Sequence, residues 1–104
     1  MTRIMVAEDE RHIREFVVDT LFDCGYDVLE AKNEREAYNL ACKAIPDLIL
    51  LDVMMPGMNG FQVLEKLNEN TLTNRIPVVM LTAVEALEGE KIKHHAEIVR
   101  SHQR

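Results

Sequence analysis

Three carboxylates and one hydroxyl stand where short apolar runs end. Glu8 and Asp9 follow the first run, Asp52 follows another, and Thr82 closes the last. If the runs are neighbouring strands, the three carboxylates meet in one pocket and repel one another. Like charges at close range raise each other's pKa unless a cation lies among them. Mg²⁺ is the hard cation that carboxylate oxygens bind, so the cluster predicts a Mg²⁺ site.

The elements that position these side chains begin with the apolar runs themselves. Continuous rather than alternating hydrophobicity is typical of strands buried on both faces. A weaker run with only two large apolar residues, Val28 and Leu29, is typical of a strand near a sheet edge. The sequence therefore predicts strands at residues 4–7, 48–51 and 78–82, with the weaker strand at 27–31.

Helical spacing appears between the strands. Residues 11–24 carry Ile13, Phe16, Val17 and Leu21 at helical intervals, and Gly25 stands at the position of a left-handed C-cap. Two further helices are predicted, one from a capping box at residues 33–36 to the stop at residue 46, and one at residues 61–67. Alternating strands and helices indicate an α/β fold with a doubly wound parallel sheet, whose ligands bind beyond the carboxyl ends of the strands.

Composition narrows the functional classes. The chain has 104 residues, 47% of them hydrophobic, and a net charge of −6. This fits one domain, residues 1–104, and the acidic balance argues against direct nucleic acid binding. The sequence has no apolar segment near the ~20 residues of a membrane span and no signal peptide, so we expect a cytoplasmic protein. Cys24 and Cys42 form no ligand or redox pair and are expected to stay reduced.

Three blocks of residues carry a family resemblance. They are the pair Glu8-Asp9, the stretch 47–60, which reads DLILLDVMMPGMNG, and the stretch 77–83, which reads PVVMLTA. In this order, each at a strand end, they resemble the receiver domain of two-component response regulators. The resemblance is strongest over residues 3–90 and implies a flavodoxin-like receiver fold.

The resemblance also implies the chemistry of the site. Asp52 would accept a phosphoryl group from a partner sensor histidine kinase or phosphotransfer protein. Thr82 would contact the phosphoryl group and relay its presence to the surface, while Ala83 would leave room for it. The implied Mg²⁺ ligands are Asp9, Asp52 and the main-chain carbonyl of Met54, with Glu8 acting mostly through water.

Each element of this pattern has a plainer interpretation when it is taken alone. A carboxylate pair after a strand is commonly a solvated turn, Asp52 could simply form a turn, and Thr82 could be an ordinary strand residue. At the level of function, the alternative is a degenerate receiver that acts as a phosphorylation-independent interaction or dimerisation module. An enzyme is not expected beyond self-catalysed phosphoryl acceptance and hydrolysis. Hydrolysis should be slow, because Met54 and Val84 are apolar and cannot orient water.

The end of the sequence departs from the family pattern. No Lys-Pro pair follows the strand at 78–82, so a normal fifth strand and fifth helix are not predicted. Arg100, His102 or Arg104 would have to supply the missing positive charge, imperfectly. Helical spacing continues instead, and we predict one extended C-terminal helix over residues 85–101. This would leave the strand at 78–82 as an uncovered sheet edge, so a homodimer is expected. The alternative is a shortened or degenerate tail that forms no ordered helix.

Overall fold

A parallel sheet with helical crossovers forms the fold in the computed structural model, which describes residues 1–55 and 58–81. In these ranges four strands pair in the order β2-β1-β3-β6, all parallel. The elements in chain order are β1 (Arg3–Ala7), α1 (Arg11–Asp23), β2 (Asp27–Ala31), α2 (Glu34–Ala44), β3 (Leu48–Asp52), β4 (Met54–Met55), β5 (Met58–Asn59), α3 (Gly60–Glu69) and β6 (Val78–Leu81).

The strand order places a reversal at the centre of the sheet. From β1 the chain first moves to β2 on one side and then returns to β3 on the other side of β1. Right-handed crossovers in opposite directions put their helices on opposite faces, which makes the sheet doubly wound. The direct packing of α2 against α3 agrees with their sharing a face. The crevice between the carboxyl ends of β1 and β3 is therefore the expected ligand site.

Local sequence explains how the helices begin and end. The Glu10 carboxylate accepts from the amide of Ile13 at 2.9 Å and caps α1, and the Asn33 side chain caps α2 by accepting from the Glu36 amide at 2.9 Å. Gly25 takes the left-handed conformation, with φ of 94°, directly after the C-cap of α1. This confirms the C-cap predicted there.

The core lies between the sheet and the helices. Its fully buried side chains come mainly from β1, β3 and β6, joined by small residues of α2 and apolar residues of α3. The central members are Met5, Ile49, Leu51, Val63, Leu67 and Met80. Burial is continuous from Ile4 to Ala7 of β1, which confirms that this strand is covered on both faces, whereas β3 combines buried residues with the half-buried Leu48 and Leu50.

The prediction for the burial of α1 needs correction. Phe16, placed by spacing on the apolar face, is 61% exposed, whereas Arg14 is only 7% exposed. Arg14 is buried because main-chain carbonyls and a carboxylate accept its hydrogen bonds. Helical periodicity identified the helix but not the side chain that it buries.

Two further differences concern the segment after β3. The third helix runs to Glu69, beyond the predicted end at residue 67, so Asn68 is helical and not a loop residue. Met54–Met55 and Met58–Asn59 form a short antiparallel pair that periodicity did not predict. Strands of two residues are too short to show an alternating pattern.

Several predictions lie outside the described residues. They concern Thr82, Ala83, the cations at 100, 102 and 104, and the extended helix over residues 85–101. The homodimer prediction depends on that helix and stays a prediction. Cys24 is exposed and Cys42 is half-buried, and neither forms a disulfide in the structure. Across residues 1–55 and 58–81, none of the helices combines the length and the apolar character that a bilayer crossing requires.

Candidate functional site

Three carboxylates meet at the reversal point of the sheet. Glu8 and Asp9 directly follow β1, and Asp52 is the last residue of the neighbouring β3. One carboxylate oxygen from each residue lies within 4.8 Å of the others. The convergence predicted from the strand ends is therefore present in the structure.

Burial gives this cluster an unusual electrostatic state. Glu8 is 3% exposed and Asp52 2% exposed, while Asp9 is open to solvent. The pKa of Glu8 is raised to about 8, mainly by burial and also by a hydrogen bond with Asp52 and by charge repulsion from Asp52 and Asp9, against the opposing effect of the hydrogen bond from the Glu10 amide. A pKa of about 8 favours the protonated form of Glu8 near neutral pH when no cation is bound.

Main-chain hydrogen bonds fix the acidic pair. The Glu8 amide donates to the Ala31 carbonyl at 3.0 Å, which extends the pairing of β1 with β2 past the end of the strand. The Glu10 amide donates to Glu8 Oε2 at 2.9 Å. Arg14 Nη1 donates to the carbonyl oxygens of Glu8 at 2.9 Å and Asp9 at 3.3 Å. The loop is therefore held from both neighbouring elements.

The backbone at Asp52 is held by equally close contacts. The Val53 amide donates to the Leu81 carbonyl at 2.7 Å, and the Gly60 amide donates to the Val53 carbonyl at 3.2 Å. Gly60 lies so close that a Cβ there would stand 2.6 Å from the Asp52 carbonyl oxygen. Only glycine lets the start of α3 approach the end of β3 this closely.

The donor set fits a hard divalent cation. Three carboxylate groups supply only oxygen ligands, and two of them are buried where repulsion is poorly screened. Burial and the neighbouring carboxylates raise the pKa of Glu8, so the pocket disfavours three negative charges without a compensating positive charge. A Mg²⁺ ion bound among the three carboxylates would supply that positive charge.

The structure describes some of the site residues predicted from the sequence but not all of them. Glu8, Asp9 and Asp52 come together as predicted, and Met54 lies in β4, two residues after Asp52. Thr82 and Ala83 fall outside the described residues. Sequence reasoning missed Arg14 and Gly60. A signal for Arg14 was present, since it lies on the helical face of Val17, Val18 and Leu21, where a lone cation requires partners.

A pH dependence follows from the raised pKa of Glu8. Between its ordinary pKa of 4.5 and about 8, the native state retains a proton that the unfolded chain releases. The free energy of unfolding of the metal-free protein should therefore fall as pH rises from about 5 to 8. Glu10 does not contribute there, because its hydrogen bond from Ile13 lowers its pKa.

Urea denaturation at a series of pH values in EDTA measures this effect, with Glu8→Gln as the control. The variant has no carboxyl group to titrate at this position, so its stability should change less over the same range. Saturating Mg²⁺ should also flatten the wild-type dependence by replacing the proton. Identical pH profiles for the wild type and Glu8→Gln would contradict the prediction.

Comparisons with known proteins agree with this geometry. A family model described as the response regulator receiver domain matches residues 4–98. The phosphate regulon transcriptional regulatory protein PhoB of Escherichia coli is 47% identical over 81 residues, which are 78% of this chain and 35% of the relative. PhoB of Pseudomonas aeruginosa is 42% identical over 80 residues, or 77% of this chain and 35% of the relative. The chain thus spans about a third of the length of these relatives.

Solved structures give the same result. The chemotaxis response regulator CheY4 of Vibrio cholerae matches with a TM-score of 0.75 and 33% identity, covering 91% of this chain and 80% of that one. The response regulator TrrA of Thermotoga maritima, solved in complex with Mg²⁺-BeF, matches with a TM-score of 0.74 and 30% identity over 93% of this chain and 83% of that one. The flavodoxin-like receiver fold is confirmed, and the chain belongs to the response regulator receiver domain family of two-component systems.

Proposed function

We propose that this domain is a phosphorylation-dependent switch in which Asp52 accepts a phosphoryl group from a sensor histidine kinase or phosphotransfer protein. The observation that carries the proposal is the convergence of Glu8, Asp9 and Asp52 within 4.8 Å at the sheet edge. Membership in the receiver domain family supports phosphorylation-dependent signalling as the general function.

The transfer step needs little covalent chemistry from the protein. A carboxylate oxygen of Asp52 forms a bond to phosphorus while the bond from phosphorus to the donor histidine nitrogen breaks, and that nitrogen keeps the electron pair. Positioning and charge neutralisation are the main requirements of such a step. Asp52 meets the first requirement because its backbone is held by β6 and by the start of α3.

Mg²⁺ is the cofactor that this mechanism requires. Asp9, Asp52 and the Met54 carbonyl would hold the ion, with Glu8 acting mostly through water. When bound, the ion neutralises the carboxylates and the incoming phosphoryl oxygens. The TrrA structure with Mg²⁺-BeF supports this assignment through a related fold.

The residues that would relay the phosphorylated state to the surface are assigned from the sequence. Thr82 would donate its hydroxyl to a phosphoryl oxygen and so relay the modified state to the surface, and Ala83 would leave space for the group. We also propose that the phosphoryl-aspartate is hydrolysed slowly. The residue type at 54 is methionine, which offers no polar group to orient an attacking water.

Incubation of the full chain with Mg²⁺ and acetyl phosphate tests the function. Intact-mass measurement should show one added phosphoryl group that decays over minutes or longer once the donor is removed. Backbone NMR with Mg²⁺ and beryllofluoride should show a second set of shifts around residues 8–10 and 52–53. Chelation of Mg²⁺ with EDTA before the donor is added should prevent both results.

An unmodified mass together with unchanged NMR spectra would contradict the proposal. That result would favour the interaction or dimerisation module, which needs neither Mg²⁺ nor a phosphoryl donor. Light scattering on the same samples measures whether the chain is a homodimer. Decay of the phosphorylated form within seconds would contradict only the slow hydrolysis.

A further inference from the structure

Arg14 is a buried cation that the proposed phosphoryl transfer does not use. Its side chain projects from α1 toward the acidic loop and is 9% exposed, although α1 is otherwise only partly covered. Burying a guanidinium is costly unless carbonyl or carboxylate groups accept its hydrogen bonds. The identity of those acceptors indicates what the residue does.

The acceptors are the main-chain oxygens of the acidic pair. Arg14 Nη1 donates to the Glu8 carbonyl at 2.9 Å and to the Asp9 carbonyl at 3.3 Å, and Nε donates to Glu30 Oε1 at 3.2 Å. Glu30 lies in the edge strand β2, and its side chain is 50% exposed. One side chain thus ties both peptide groups that follow β1 to the neighbouring strand.

The peptide group between Asp9 and Glu10 is hydrogen-bonded both to Arg14 and to the Glu8 carboxylate. The Asp9 carbonyl and the Glu10 amide belong to the same trans peptide plane, so they point in opposite directions. Arg14 holds the oxygen of this plane, and the Glu10 amide donates to Glu8 Oε2 at 2.9 Å. The orientation of this peptide therefore links the guanidinium to the Glu8 side chain.

We propose that Arg14 is a positioning residue that orients the Glu8 and Asp9 main chain so that their carboxylates converge with Asp52 for Mg²⁺. This inference rests on the proposed function. If Arg14 positions the ligands, its removal should weaken Mg²⁺ binding. Charge alone predicts the opposite, because a cation near the pocket repels Mg²⁺ and its removal would strengthen binding. The sign of the change in Mg²⁺ affinity therefore separates positioning from simple electrostatics.

The experiment compares Mg²⁺ binding by the wild type and Arg14→Met, measured by calorimetry on the full chain. The dissociation constant should rise about tenfold, as is common when a group that orients a metal ligand is lost. In the metal-free NMR spectrum, the Glu10 amide proton should shift upfield because its hydrogen bond to Glu8 weakens.

Two variants serve as controls. Arg11→Met removes the same charge from the same helix, but Arg11 is exposed and bonds only to Glu15 among the contacts observed in the described chain. Glu30→Gln weakens the ion pair while leaving the bonds to the two carbonyls. Both should bind Mg²⁺ within about twofold of the wild type, consistent with the small effects of exposed ion pairs.

The outcomes separate the two proposals. Equal or tighter Mg²⁺ binding by Arg14→Met would overturn the role of Arg14 and leave the proposed function intact. Failure of the wild type to bind Mg²⁺ would overturn both. If Arg14→Met does not fold, Arg14→Lys provides the test, because it keeps the charge but lacks the planar fork. That variant should also bind more weakly than the wild type, and unchanged affinity would overturn the inference.

Discussion

Asp52→Asn is expected to abolish phosphoryl acceptance. The amide has no anionic oxygen to attack phosphorus, and no other carboxylate of the cluster lies at the end of β3. Intact-mass measurement with Mg²⁺ and acetyl phosphate should show no added group. The Mg²⁺ dissociation constant should also rise at least about tenfold, because a charged ligand is lost from the set.

Asp52→Asn should increase the stability of the metal-free protein, although it weakens Mg²⁺ binding. In the metal-free protein at high pH, Glu8 and Asp52 are like charges in a buried pocket, and Asn removes their repulsion. We expect a gain on the order of 1 kcal/mol above pH 8, measured by urea denaturation in EDTA. Burial would still keep the pKa of Glu8 above its ordinary range.

Asp47→Asn is the matched control for Asp52→Asn. Asp47 precedes the same strand at its opposite end, where its carboxylate is exposed and accepts from the Arg3 amide at 2.8 Å. Phosphoryl acceptance and Mg²⁺ affinity should be unchanged in this variant. A phosphorylated Asp52→Asn protein would show that the acceptor is another residue and would contradict the assignment.

Gly60→Ala is expected to have the second large effect. Alanine normally stabilises a helix relative to glycine by about 1 kcal/mol. Here its Cβ would lie 2.6 Å from the Asp52 carbonyl oxygen and 2.7 Å from Val53 Cα, both backbone atoms that cannot rotate away. We expect a loss of roughly 1–3 kcal/mol in the free energy of unfolding, as for other overpacked sites. Displacement of the Asp52 main chain should also weaken Mg²⁺ binding several-fold.

Gly25→Ala separates general destabilisation from an effect on the site. Gly25 has φ of 94°, and a Cβ there would meet no atom within 4 Å. Its cost of about 1–2 kcal/mol would come from backbone conformation alone. Urea denaturation should show a loss of stability in both variants, whereas only Gly60→Ala should change the Mg²⁺ titration. Equal Mg²⁺ affinity in the two variants would contradict the role of the close approach.

Much of the fold was predictable because burial leaves a strong pattern in parallel strands. Continuous apolar runs identified β1, β3 and β6, and the weaker run at 27–31 is indeed the β2 edge. The position of Asp52 at the end of a central strand also followed from this pattern. These features depend on local composition and on the general rule for where ligands bind in such sheets.

The missed features depend on contacts between distant parts of the chain. The burial of Arg14 requires the carbonyls of the acidic loop and Glu30, which lie in other elements. Gly60 is constrained by the backbone of Asp52, eight residues earlier, and nothing in its immediate sequence shows this. Periodicity describes one element at a time, so it cannot show which side chain satisfies a neighbour.

The placement of the acidic residues on β1 and β3 has a consequence for the energetics of ligand binding. Among the four strands that the structure describes, β1 and β3 form the central hydrogen-bonded ladder, and we expect its amides to exchange with solvent only when the whole domain opens. A ligand held at their ends binds the native state and not the open one. Its binding free energy is therefore added to the protection of every amide that exchanges by global opening, far from the pocket itself.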